Sequence, residues 1–118
     1  MSPDSKRRVN AEEINDRVKL LLHRVVARRL MQDPTLLDKA AEILKSRRLQ
    51  HGDRLYIGEW ESLLDKGAEE VRREIVKRDE RMTRLRISSP FATVVNFQDP
   101  ALRRRVWRNA RKYLASHA

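Results

Sequence analysis

No cysteine occurs in this chain, which excludes disulfides, thiolate zinc sites and cysteine nucleophiles together. Only three glycines are present, so a Gly-rich loop that could cradle phosphates is absent too. No apolar run approaches the roughly 18 residues of a membrane span, and the opening stretch MSPDSKRRVN lacks the apolar centre of a signal peptide. These absences point to a reducing, cytoplasmic setting without a membrane partner.

What the chain has is charge. Charged residues make up 37% and the formal net charge is +10, unevenly spread. Residues 1–32 carry 8 basic and 4 acidic side chains, residues 33–80 carry 10 and 12, and residues 81–118 carry 9 and 1. The excess at the two ends favours a polyanion or an acidic protein surface as partner. The 40% of apolar residues recur periodically, which favours a folded helical domain over disorder. With 118 residues there is room for one core and not for a catalytic and a regulatory domain side by side.

The predicted organisation is a flexible basic N-terminus over 1–9 and a single helical domain over 10–118. Its fold class is all-α, a compact bundle of four to five helices with one irregular segment, about 87–98, before the last. Asn10 and Glu13 have the spacing of a capping box that opens helix 1, whose apolar stripe includes Ile14, Val18, Leu21, Leu22, Val25 and Leu30. Asp33-Pro34 ends it and starts helix 2. Tyr56, Trp60, Leu63 and Leu64 mark the inner face of helix 3, which Gly67 ends. Helix 4 is expected over about 68–86, and Asp99-Pro100 opens the last helix.

Candidate sites are few. The last helix carries Arg103, Arg104, Arg105, Arg108, Arg111 and Lys112 with no acid after Asp99. At 100° per residue Arg104, Arg108 and Arg111 share one face, with Lys112 nearby. Arg104, Arg105, Arg108, Arg111 and Lys112 are the expected contacts to a nucleic acid or acidic surface, with Trp107 and Tyr113 as flat rings beside them. Arg17, Arg24 and Arg28 line one face of helix 1 and could join that patch. No helix-turn-helix or other base-reading element is visible. His23, His51 and His117 lack partners at metal spacing, so neither a metal nor a cofactor is expected. Arg17 and His23 loosely match the Arg-x(4–6)-His pattern of HEPN ribonucleases, but six residues of helix turn them onto different faces. Ser88 and Ser89 have no nucleophile-elbow context, and the carboxylates of residues 59–74 alternate with bases as on an ion-paired surface. An enzyme is not expected.

One segment is distinctive. The order Trp60, Leu63, Leu64, Gly67, then Leu85-Arg86 and Ser88-Ser89-Pro90-Phe91, resembles a group of small bacterial proteins in which a W-x-x-L-L helix precedes an LRQSSPF-like segment. MQDPTLLDKA looks like the start of the same group, so the likeness spans roughly residues 20–97. Ile87 stands where Gln is common, and NFQDPALRRRVWR replaces a Pro-Glu-Arg stretch, which leaves the last helix outside the likeness. Members of the group are typically encoded beside nucleotidyltransferase-fold proteins in toxin–antitoxin-like operons. The resemblance implies a non-catalytic, antitoxin-like protein that binds and neutralises or regulates such a partner, a toxin or enzyme encoded nearby, with DNA autoregulation secondary. Arg84, Arg86, Ser88, Ser89 and Phe91 are the expected partner contacts on that reading. The alternatives are a stand-alone DNA- or RNA-binding module using the last helix, and a HEPN-like ribonuclease. Locally, Ser89 can cap and Pro90 can open a short helix or turn. Leu85 closes the stripe of helix 4, with Arg86 outside it. Phe91 is a plug beneath the turn or an exposed anchor, and the burial preference of Phe favours the plug.

Overall fold

Capping chemistry sets the first helix. Asn10 Oδ1 accepts the Glu13 N–H at 2.8 Å, and Asn10 Nδ2 donates to Glu13 Oε1 at 3.3 Å, the pairing that their spacing predicts. The computed structural model of the chain describes residues 10–117, and this first helix, α1, spans Ala11–Gln32. The basic segment expected over 1–9 lies outside the described residues. At Asp33-Pro34 the chain turns: Asp33 Oδ1 accepts the Thr35 N–H at 3.1 Å and also the Thr35 hydroxyl. Helix α2 then occupies Leu36–His51 and α3 occupies Leu55–Leu64. Gly67, at φ 93°, reverses the chain into α4, Ala68–Glu74, in a conformation that L side chains resist.

Sequence spacing predicts one helix over 68–86, and here the structure differs. The chain breaks after Glu74 and restarts as α5, Glu80–Ile87. Asp79 drives the restart, its Oδ1 accepting the Met82 N–H at 2.8 Å. Arg86 reaches back across the break and donates to the Ile75 and Lys77 carbonyls at 3.0 and 2.8 Å. These are carbonyls that the interrupted helix leaves without an intrahelical donor. The segment expected to be irregular contains a single helical turn, α6, Phe91–Val94. Phe97 N then donates to Ala92 O at 2.9 Å to close a tight loop through Asn96, at φ 45°. Asp99 Oδ2 caps Leu102 N at 2.9 Å and opens α7, Pro100–Ser116, as the second Asp-Pro pair predicts.

The result is all-helical, with seven helices among the described residues rather than four or five. The β-branched run of 93–95 forms no strand, because Phe91, Val95 and Phe97 all turn into the core. Helix α1 lies at the centre and packs against α4, α5 and α7, while α2 packs against α3 and α6. No helix is long and apolar enough to cross a membrane among the described residues.

Trp60 anchors the interior. Its ring is fully buried, its Nε1 donates to Leu85 O at 3.1 Å, and it meets Phe91 in a T-shaped contact with 6.1 Å between centroids. Truncation to Ala should therefore destabilise the fold by about 3–5 kcal/mol in denaturant unfolding. Trp60→Phe, which keeps most of the ring, should lose only about 1–2 kcal/mol with the indole hydrogen bond. Equal losses from the two variants would contradict the assignment of separate packing and hydrogen-bonding roles.

Candidate functional site

Two groups of residues bear on function, and the fold treats them oppositely. The first is the segment from Leu85 to Phe91. Ser89 and Phe91 are buried, with Phe91 at 0% exposure, and Ser88 is half-buried. Phe91 is thus the plug beneath the turn and not an exposed anchor. Arg86, expected outside the core, is 5% exposed. Its guanidinium is spent on the carbonyls at the α4–α5 break and on Thr83 Oγ1 at 3.4 Å, which is why a charged side chain can sit there. Burial holds its pKa below the ordinary arginine value. Of the five expected partner contacts only Arg84 is exposed, and it forms a paired contact with Glu59 at 3.2 and 3.0 Å. The five residues expected to meet a partner are therefore brought together in sequence but present little common surface.

Side chains from three other helices hold this segment. Arg47 of α2 donates to the Ser88 and Ser89 carbonyls at 2.7 and 3.3 Å, and Trp60 of α3 donates to Leu85 O. His23 of α1 meets Ser89 Oγ with Nε2 at 2.7 Å, while its Nδ1 lies 2.7 Å from Lys19 O. A carbonyl only accepts, so Nδ1 carries the proton and Nε2 accepts the Ser89 hydroxyl. The same Ser89 oxygen accepts the Phe91 N–H at 3.1 Å. A histidine accepting from a serine is also the arrangement that activates nucleophiles. Here both side chains are buried, and the group behind the imidazole is a backbone carbonyl rather than a carboxylate. The pair locks a turn. Sixty-six residues separate its members, so spacing could not reveal it. The available signal was a polar His23 in phase with Val26 and Leu30 on the apolar stripe, where a hydrogen-bond partner is required.

Arg17 and His23 do not converge. His23 is committed to Ser89, whereas the Arg17 guanidinium lies over the Tyr113 ring, 3.5 Å from its centroid. No group of three or more His, Asp or Glu could hold a metal ion among the described residues.

The second group is basic and exposed. Packing of α7 on α1 sets Arg24 and Arg28 beside Arg105, along a groove of about 190 Å³. On the outer side of α7, Arg104, Arg108, Arg111 and Lys112 surround the half-buried Trp107 in a shallow depression. Arg24 and Arg28 of helix 1 thus meet Arg105 of the last helix, whereas Arg17, expected in the same patch, turns to Tyr113 and lies outside it. None of these seven cations has a carboxylate within 4 Å among the described residues. The middle of the chain behaves differently. Arg48 takes Glu61 through two bonds of 2.7 Å and Asp53 through a third, and Glu59 is held by Arg84 and Arg81. Glu69, Glu70 and Glu74 pair with Arg72, Arg73 and Lys77 one helical turn away. Hydrogen bonds from their cationic partners keep the Glu59, Glu61 and Glu74 carboxyls below the usual range. Neutralisation is local, and it leaves the α1–α7 face positive.

The chain matches no protein-family model, no curated protein and no solved structure.

The turn lock has a pH signature. Burial pushes the His23 imidazole from 6.5 down to about 4, with the nearby Arg86 and Lys19 charges adding to the effect and the Lys19 carbonyl opposing it. Between those values the unfolded chain takes up a proton that the folded chain refuses. Stability is therefore complete above about pH 6.5 and declines as the pH falls towards 4, by about 3 kcal/mol in all. Guanidinium unfolding of the native chain at neutral pH and near pH 4.5 should show most of this loss, and His23→Leu should flatten it. A native chain equally stable at both values would contradict a buried neutral imidazole. Ser89→Ala should lose about 1–3 kcal/mol at neutral pH, because it strips a partner from both His23 Nε2 and the Phe91 N–H.

Proposed function

We propose that this chain is a non-catalytic binding protein that docks on a polyanion through the α1–α7 face, with the phosphate backbone of nucleic acid as the favoured ligand class. One observation carries the reading: seven cations from two helices lie along the α1–α7 packing without carboxylate neighbours, whereas Arg48, Arg72, Arg73, Arg81 and Arg84 in the middle of the chain are each paired with a glutamate. Like charges placed together repel, and a row of phosphates relieves that repulsion while releasing its own counterions. The dipole of α7 does not account for the cluster, since its effect fades beyond the last turn, where α7 has no basic residue, and Arg104 and Arg105 lie near the other end. Trp107 adds a ring within the patch that an unpaired base could meet. Phosphate contacts position a protein without reading sequence, so binding with little base preference is expected.

The antitoxin-like reading is retained as a second form of the same proposal. Guanidinium groups that fit phosphates also fit carboxylates, so an enzyme whose nucleotide site is lined by metal-binding carboxylates is a chemically suited partner. Burial of Phe91, Ser89 and Arg86 moves the contact surface on this reading from the Leu85–Phe91 segment to the basic face.

Fluorescence anisotropy with a labelled duplex and a labelled single strand at low salt tests the primary reading. The native chain should bind at micromolar or tighter concentration, with affinity falling steeply as salt rises. Reversal of the exposed Arg104, Arg108 and Arg111 to Glu should weaken binding by at least about a hundredfold without shifting the thermal midpoint. An unaffected affinity in that variant would overturn the assignment of the surface. Failure of the native chain to bind either nucleic acid, together with copurification of the protein encoded by the adjacent gene, would favour the second form.

A further inference from the structure

A separate cleft lies at the other end of the α1–α7 contact, lined by residues of α1, the α4–α5 connection, α5 and α7. Its volume, about 340 Å³, lies at the small end of the range for ligand pockets. Tyr113 lines it. The Arg17 guanidinium covers one face of the ring and the His117 imidazole stacks on the other, with ring centroids 3.9 Å apart. Arg78 Nη2 donates to the phenol oxygen at 2.9 Å. Two guanidinium groups thus converge on one phenol, and neither has a carboxylate within 4 Å among the described residues. The Arg17 Nε–H is shielded from solvent and makes no hydrogen bond. Burial and the Arg24 charge hold the Arg17 pKa below the ordinary arginine value, Tyr113 opposes them and Arg78 adds to them, so a bound anion would stabilise the cation.

We propose that this cleft binds a single phosphoryl group, as inorganic phosphate or a phosphate monoester, between Arg17 and Arg78. Guanidinium forks match the oxygen spacing of a phosphate, and a second cation on the same aromatic ring fixes the angle of approach. Arg86 also lines the cleft, but its Nη1 is committed to the Ile75 and Lys77 carbonyls and its Nη2 to Thr83 Oγ1, so it contributes mainly charge. Glu13 and Asp16 also line the cleft. Their charges oppose any anion on their side, so the phosphoryl group seats against Arg17 and Arg78, and the small volume suits a terminal phosphoryl group rather than a continuous strand. Both faces of Tyr113 are covered, so a nucleobase has no ring to stack on and adds little to affinity.

Calorimetric titration of the full chain at low ionic strength with inorganic phosphate, AMP and adenosine tests the site. Phosphate and AMP should bind with one-to-one stoichiometry and similar affinity, and adenosine should not bind. Arg78→Gln alters an exposed side chain and should keep the thermal midpoint while weakening both anions by at least about tenfold. Reversal of Arg104, Arg108 and Arg111 should leave phosphate binding within about twofold, which separates this site from the basic face. The proposal is overturned if phosphate does not bind, if Arg78→Gln binds it equally well, or if adenosine matches AMP. Loss of phosphate binding in the charge-reversed chain would equally overturn it, by placing the anion on α7.

Discussion

A turn buried in the middle of a helical domain is tolerable only if its main-chain polar groups find partners, and the turn at 85–91 finds them in other helices. Leu85 O is met by Trp60 of α3, the carbonyls of Ser88 and Ser89 by Arg47 of α2, and the Phe91 N–H by a Ser89 hydroxyl that His23 of α1 orients. Each bond is modest in net terms, but leaving its buried partner unmade is expensive. The positions of α1, α2 and α3 relative to this turn are therefore mutually dependent. Arg86 adds a fourth tie by holding the α4–α5 break from the far side.

This constraint also decides which residues are free for binding. Polar and aromatic side chains that look functional in the sequence, Trp60, Arg86, Ser89 and Phe91 among them, are consumed by the interior. The carboxylates of α3 and α4 are consumed by neighbouring cations. The cations along the packing of α1 and α7 find no such carboxylate partners among the described residues. Exposed ion pairs contribute little to stability, so the paired middle of the chain matters mainly because it offsets charge there and not along α1 and α7.

Much of this organisation was legible in residue order. Asn10, Asp99 and Gly67 mark helix ends through side-chain acceptors or a positive φ, which are local effects that sequence records directly. The α4–α5 break was not legible, because no proline or glycine marks it and Asp79 sits in a charged run that reads as continuous helix. The burial of Arg86 was hidden for a related reason: its partners are carbonyls exposed only by that break. The basic cluster of α7 was plain from composition, whereas its union with Arg24 and Arg28 depends on a long-range packing that no local signal fixes. The Tyr113 cleft joins residues from four parts of the chain and is visible only in three dimensions.

The central claim is that the α1–α7 face meets the ligand while the buried turn only supports it. The most direct measurement is the side-chain Nε–Hε NMR spectrum of the arginines, followed as a short DNA duplex is added. Resonances of Arg24, Arg28, Arg104, Arg108 and Arg111 should shift together, and those of Arg47 and Arg86 should stay in place. Shifts confined to Arg84, Arg86 and Arg47 would contradict the claim and return the binding surface to the turn.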